Sequence, residues 1–187
     1  EQARRRSGLQ RSRRHHRART HRLNTHTAYL SLGSNIDAEA NIRSAMRALQ
    51  ADFRDVLFSP VYRCPAVGFE GDDFINLAAR IVTEMEPLEL RNYLAELENR
   101  HHRDRTVPRW SSRTLDVDIL LYDDLCLISP VLEIPRREIL TAAFSLKPLA
   151  DLAPDLVHPV TRERIGDMWN RFPHDEGGLR QIVFELD

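Results

Sequence analysis

Cysteine is scarce in this 187-residue sequence: Cys64 and Cys126 stand far apart and fit neither a CxxC pair nor a metal-ligand spacing. Disulfide scaffolds and cysteine-ligated zinc modules are thereby set aside, and reduced thiols in a cytoplasmic protein are the expectation. No apolar run approaches the length needed to cross a membrane. The opening residues lack the apolar stretch of a secretory signal, and Leu9 and Leu23 alone give no amphipathic face for a mitochondrial leader. Internal repeats are not evident. The GxxxxGK(S/T) phosphate loop and the HRD and DFG triplets are missing too, which excludes a P-loop enzyme and a protein kinase.

Acidic residues are nearly absent from one region only. Residues 1–24 hold nine Arg against the single acid Glu1, and almost no apolar side chains. Such a segment has too little to bury to fold alone, so a disordered basic tail is expected, with a nucleic-acid-binding arm as the alternative. Taking those residues from the chain's 27 basic and 28 acidic ones leaves 18 and 27 in residues 25–187, a net of −9 behind an overall −1. An acidic body argues against nucleic acid as a partner. With 42% hydrophobic and 29% charged residues and length for a sizeable core, 25–187 is expected to form one domain.

Hydrophobic periodicity switches along that body. TAYLSL (27–32) reads as a strand ended by Gly33-Ser34-Asn35; Ile42, Ala45, Met46 and Leu49 then recur at helical spacing, with Asp37 as the helix start. VLFSPVYR (56–63) is extended, and Pro60 marks an edge or a bulge. A Gly-containing loop at 64–73 leads to the strand FINLAARIVTE (74–84). Pro87 opens a second helix with Leu88, Leu90, Leu94 and Leu97 on one side. A polar, Arg-rich loop (101–112) precedes a strand over 115–121, whose hairpin partner is expected near 125–129. Short helices around 136–150 and a last strand at 179–186 follow. The order βαββαβ predicts an α+β, ferredoxin-like sandwich, an antiparallel sheet with helices on one face.

Two carboxylates interrupt the strand at 115–121. Side chains alternate, so Asp116 and Asp118 share a face, roughly 7 Å apart, while Leu115, Val117 and Ile119 point into the core. Carboxylates this close repel unless a cation lies between them, and Mg2+ takes one or two carboxylates plus waters and substrate phosphates. The alternative is a half-exposed strand whose outer face is simply polar. The flank favours the metal: Arg100, Arg103, Arg105, Arg109 and Arg113 stand against one acid, Asp104. Guanidinium groups fork onto phosphate and keep their charge when partly buried. Trp110 offers a flat face to a base. Paired Asp behind a flexible Arg loop is what phosphoryl transfer from a Mg–nucleotide requires.

The stretch RWSSRTLDVDILL (109–121) resembles the signature of the 6-hydroxymethyl-7,8-dihydropterin pyrophosphokinases, usually RWGPRTLDLDIL. AYLSLGSNI (28–36), VYRCPAVGFEGDDFINLAA (61–79), LENRHHRDR (97–105) and FSLKPLADLAPDLVHP (144–159) are similar to further parts of that family, so the resemblance covers about 27–160. It implies transfer of the β,γ-pyrophosphoryl unit of ATP to the pterin's hydroxymethyl oxygen, giving AMP, a step of folate biosynthesis. By the same resemblance Asp116 and Asp118 would bridge two Mg2+ ions, and Arg103 and Arg113 would hold the transferring phosphates. Arg105 and Trp110 would close the loop over ATP, and Glu98 and Ile119 would sit at the nucleotide. Phe74 and Phe144 would stack the pterin, Asn76 would bond its edge, and Val67 and Gly68 would line its pocket. Two aromatic faces and an amide do suit a flat, polar-edged heterocycle.

Some positions depart from that pattern. Ser111-Ser112 replaces the usual Gly-Pro and loosens the loop's restraint; His102 stands where Gly is common; Ala142 stands where an Arg often binds phosphate. Arg136 follows Pro135 where the family has His, and is assigned a catalytic, phosphate-facing role. These changes bear on rate more than on reaction. A monomer acting on ATP and the pterin, with no membrane partner, is the expectation. A weakened pterin- and nucleotide-binding homologue, or a ferredoxin-like nucleic-acid binder using the tail, are the rival readings.

Overall fold

Side-chain alternation along three long strands sets the architecture. The computed structural model describes residues 25–106, 108, 111–173 and 178–186; the basic tail, Arg109 and Trp110 lie outside the described residues. Strand β1 (His26–Ser34) occupies the middle of an antiparallel sheet, between β4 (Phe74–Thr83) and β5 (Asp116–Tyr122). Beyond β4 come β3 (Val61–Cys64) and then β8 (Arg180–Ile182), with the short β2 (Val56–Phe58) also paired to β4. Ser59-Pro60 separates β2 from β3, as a residue without a backbone N–H dictates. The order β5-β1-β4-β3 is that of the expected ferredoxin-like βαββαβ unit.

On one face of the sheet lie α1 (Ala38–Asp52) and α2 (Pro87–Arg100). Ala28, Leu30 and Leu32 of β1, Leu77, Ala79 and Ile81 of β4, and Val117 and Ile119 of β5 meet Ile42, Leu49, Leu90, Leu94 and Leu97 in a continuous core. Each of these fully buried leucines contributes about 2 kcal/mol by burial. Helix α2 begins as its sequence demands: Pro87 at its first turn, and the Glu86 N–H donating to Glu89 Oε2 at 3.0 Å in a capping box. Leu88 falls off the buried stripe and is 51% exposed, contrary to its expected place. Asp37 precedes α1 in a left-handed conformation (φ 45°) and its side chain caps nothing, so the helix starts by a backbone turn there.

The opposite face is covered as well, which corrects the expectation of helices on one side. Helices α3 (Glu138–Thr141), α4 (Ala143–Leu152) and α5 (Ile165–Arg171) bring Ile139, Leu146, Leu149, Ile165 and Met168 against Ala78, Leu120 and Leu121. The segment near 125–129 is not a partner of β5 either. Its β6 (Leu127–Ile128) pairs with β7 (Glu133–Ile134) in a separate two-stranded sheet. Nothing in local periodicity distinguishes those two pairings. This third layer spans only part of the face, and the uncovered part carries the polar residues.

Candidate active site

Strand register brings the polar residues into rows. Gly33 of β1 pairs with Asn76 on one side and Asp116 on the other, and Ser31 pairs with Asp118. Gly33 leaves room for that amide: a Cβ there would lie 3.0 Å from Asn76 Oδ1, tighter than an ordinary contact. The turn after β1 then fastens the next element. Asn35 Oδ1 accepts from the Arg113 N–H at 2.6 Å, and the Asn35 and Ile36 N–H groups donate to Arg113 O at 3.0 and 3.1 Å. Ser34 Oγ donates to Thr114 O at 2.6 Å. These buried polar groups explain the Gly-Ser-Asn turn, and they set the start of the carboxylate-bearing strand.

Between Tyr29 and Leu30 the β1–β5 register slips, leaving Leu120 as an extra residue in β5. Such a bulge frees backbone groups from the ladder. Leu120 O is taken by the Arg136 N–H at 3.0 Å, which draws the chain after β7 back over the strand. Arg136 Nη2 therefore reaches Asp118 Oδ2 at 2.9 Å and Glu138 Oε1 at 3.2 Å. On the neighbouring carboxylate, Arg103 Nη1 lies 2.9 Å from Asp116 Oδ1 and donates to Leu115 O at 2.7 Å. Each of the paired carboxylates thus has its own guanidinium, yet each keeps 43% of its side-chain surface open. Burial pushes the Asp118 carboxyl up to about 6; Arg136 opposes that rise and the Asp116 charge adds to it.

Glu98 ties the Arg loop to the strand. Its Oε1 accepts from the Val117 N–H at 3.0 Å and its Oε2 from Arg105 Nη2 at 2.6 Å. Burial raises its pKa, and the bond from Val117 works against that rise. The loop itself turns on His102, whose φ of 57° is why a glycine is favoured there. Asp104 Oδ1 accepts from the Thr106 N–H at 2.8 Å and from its Oγ1 at 2.7 Å. The two serines that stand for Gly-Pro restrain the loop by hydrogen bonds instead: Ser111 Oγ donates to Pro108 O at 2.8 Å and Ser112 Oγ accepts from Asn35 Nδ2 at 3.1 Å.

Two cavities adjoin over this surface. The larger, of about 340 Å3, is lined by Glu98, Arg103, Arg105, Arg113, Asp116, Asp118 and Arg136. The smaller, of about 110 Å3, is lined by Val67, Phe69, Phe74 and Pro65. Asn76, Arg113, Asp116 and Phe144 border both. A charged chamber therefore opens into an apolar slot, and a ligand in each would meet at Asp116. The third sheet-covering layer supplies Phe144, from the first turn of α4.

Most of the residues singled out in the sequence come together here, with exceptions. Ile119 is 3% exposed in the core behind the sheet, and its side chain does not line the cavity. The bulge follows it, and the cavity wall passes to Leu120. Gly68 turns the loop at φ 84°, while its neighbours Val67 and Phe69 form the wall. Phe69, Cys64 and, at the rim of the larger cavity, Arg91 were not anticipated. Only Cys64 carried a local signal, since it shares the Phe74 and Asn76 side of the paired strands. Two carboxylates on one face fit a hard cation that takes its other ligands from phosphate and water. Among the described residues there is no group of three or more metal-ligating side chains, and no helix is long and apolar enough to cross a membrane.

Comparison with known proteins agrees with this geometry. Residues 29–154 match the model of the 7,8-dihydro-6-hydroxymethylpterin-pyrophosphokinase (HPPK) family. The 2-amino-4-hydroxy-6-hydroxymethyldihydropteridine pyrophosphokinase of Bacillus subtilis is 35% identical over 160 residues, 83% of this chain and 95% of that one. The enzyme of that name from Haemophilus influenzae is 36% identical over 137 residues, covering 71% and 85%. The bifunctional protein FolKE of Lactococcus lactis is 39% identical over 130 residues; the match covers 67% of this chain but spans only 37% of FolKE. A crystal structure of Plasmodium falciparum HPPK-DHPS with pteroate has the same fold, with a TM-score of 0.58 at 15% identity, over 79% of this chain and 42% of that one. The chain belongs to the 7,8-dihydro-6-hydroxymethylpterin-pyrophosphokinase family.

Proposed function

We propose that this protein transfers the β,γ-pyrophosphoryl unit of ATP to the hydroxymethyl oxygen of 6-hydroxymethyl-7,8-dihydropterin. The bond formed joins that oxygen to the β-phosphorus, the bond broken frees AMP, and the hydroxyl proton leaves to solvent. The observation that carries this reading is the charged cavity opening into an aromatic slot across Asp116. Triphosphate chemistry suits the first and a flat heterocycle the second.

The side chains divide the work. Phe74 and Phe144 face the slot and hold the ring, and Asn76 offers its amide to the ring's edge. Asp116 and Asp118 are the residues that would hold two Mg2+ ions; magnesium so held neutralises the triphosphate and polarises its oxygens. With magnesium on the carboxylates, Arg103 and Arg136 would be the guanidinium groups beside them available to phosphate oxygens. Arg113, 8% exposed beneath the junction, contributes a fixed positive charge between the two ligands. Glu98 acts by positioning Arg105, since both of its oxygens are engaged by protein donors.

Incubation with Mg-ATP and 6-hydroxymethyl-7,8-dihydropterin, followed by chromatography of the nucleotides, tests the reading. AMP in amounts equal to the pterin diphosphate is the expected result. ADP, or unchanged ATP, contradicts it.

A further inference from the structure

Arg103 and Arg136 each meet one of the paired carboxylates through a single guanidinium nitrogen, and each uses that nitrogen a second time. Arg103 Nη1 donates to Leu115 O at 2.7 Å besides meeting Asp116 Oδ1 at 2.9 Å. Arg136 Nη2 donates to Glu138 Oε1 at 3.2 Å besides Asp118 Oδ2 at 2.9 Å. Its Nε and Nη1 bond no protein group among the described residues, so two of its three nitrogens stay open to an anion. The backbone around this contact is fixed. The Arg136 N–H is held by Leu120 O, Glu138 O accepts from the Ala142 N–H at 2.9 Å, and Ile139 between them is fully buried. The adjacent pair differs: Arg137 is 75% exposed, and its Nε donates to Glu133 Oε1 at 2.5 Å.

We infer that Glu138 is a positioning residue that holds the Arg136 guanidinium in the charged cavity when Asp118 is given over to a cation. Glu138 lines that cavity, where a bare carboxylate would repel a triphosphate. Its presence there makes sense as the partner of Arg136. An Arg head on a long, flexible stem is not placed by its backbone alone. It needs an acceptor that remains when the metal site is filled. For Arg103 that acceptor is Leu115 O; for Arg136 it is Glu138. A charge-stabilising group displaced by about 1 Å loses up to about a hundredfold in rate, so the anchor acts on turnover without touching substrate.

This inference rests on the pyrophosphoryl-transfer reading of the cavity, and a double-mutant cycle on the whole chain keeps the two apart. With Mg-ATP and 6-hydroxymethyl-7,8-dihydropterin, Glu138→Ala should lower kcat about tenfold when Arg136 is present and less than about twofold in the Arg136→Ala background. Glu138→Gln, which keeps an acceptor at the same reach, should recover most of that loss. Glu133→Ala, which removes the partner of Arg137 instead, should leave the rate as it is. Tm should hardly move, since a half-exposed pair adds little stability. A second readout needs no turnover. With magnesium and a non-hydrolysable ATP analogue, nitrogen-15 NMR should resolve the Arg136 Nη signals in wild type and find them averaged in Glu138→Ala, their absence from Arg136→Ala giving the assignment. An unchanged or faster Glu138→Ala enzyme, equal losses in both backgrounds, or a loss as large in Glu133→Ala overturns the positioning role. So does an Arg136→Ala enzyme as fast as wild type, which leaves Glu138 nothing to act through. Glu138→Gln as slow as Glu138→Ala assigns the effect to charge and overturns it too, as do unchanged Arg136 signals whatever the rates. A wild-type chain that forms no AMP overturns the transfer reading, and the inference with it.

Discussion

The two faces of the central sheet are cut from the same strands and obey opposite rules. On the α1–α2 side, Ala28, Leu30, Leu32, Leu77, Ala79 and Ile81 are essentially inaccessible and purely apolar. On the other side, successive residues of those strands and β5 read Ser31, Gly33, Asn76, Asp116 and Asp118, and α4 and α5 cover only the apolar remainder around Ala78 and Leu121. One face is therefore apolar throughout, whereas the other is apolar only beneath α3, α4 and α5. The other holds carboxylates with half-open surfaces and an amide oxygen without a protein partner. Alternation with period two lets one strand serve both purposes without compromise. Substitutions on the two faces should separate stability from activity.

The largest effect should come from the carboxylates. Asp116→Ala or Asp118→Ala should lower turnover by at least about a thousandfold, with Tm within a few degrees of wild type, because each removes oxygen ligands and a half-open charge. Leu30→Ala, on the opposite face, should do the reverse: a loss of about 3 kcal/mol by urea denaturation with turnover of the folded fraction retained. Full activity in either Asp variant, or unchanged stability in Leu30→Ala, would collapse the division.

Arg136 comes next. Arg136→Ala should cost one to three powers of ten in turnover, roughly the range for one transition-state donor. Arg136→His should regain part of that and add a titration near the free-histidine value of about 6.5 to the wild-type profile. An unchanged rate in Arg136→Ala would show that its contact with Asp118 is structural only.

Proton linkage sharpens the contrast. The folded chain holds the Asp118 proton up to about pH 6, well above the value of 3.8 for the unfolded chain. The folded state therefore binds more protons between those values, and this group's contribution to stability falls as pH rises through them. Asp118→Asn should raise the ligand-free Tm at pH 8 and flatten its pH dependence from 4 to 7, measured by thermal denaturation. A lower Tm at pH 8 would mean that the Arg136 pairing outweighs burial.

The smallest effect lies at the loop. His102→Gly should stabilise by roughly 0.5–1 kcal/mol, since φ 57° strains any residue with a Cβ. A Tm that falls by more than a degree would show the His102 side chain to be making a compensating contact.

Local pattern made part of this legible. Alternation placed Asp116 and Asp118 together, and 3.6-residue spacing found both helices of the apolar face, because those signals are intrinsic to a single segment. The third layer was not legible as a layer: which face α4 covers depends on chain reversals far from Phe144. Leu120's bulge could not be read either, and it decides both that Ile119 stays in the core and that Arg136 reaches Asp118. Glu98 was legible as a site residue but not as a positioning one, since its two donors lie 7 and 19 positions away. The β6–β7 pairing escaped for the same reason: two strands of two residues carry no periodicity.

The central claim is that one polar cavity and one aromatic slot hold two substrates so that their reacting atoms meet at Asp116. A crystal structure of the ternary complex with magnesium, a non-hydrolysable ATP analogue and 6-hydroxymethylpterin tests it most directly. The account expects the ring between Phe74 and Phe144, the triphosphate over Asp116 and Asp118, and the hydroxymethyl oxygen about 3–3.5 Å from the β-phosphorus. A ring seated outside the slot, or a hydroxymethyl oxygen aimed at the γ-phosphorus instead, would contradict it.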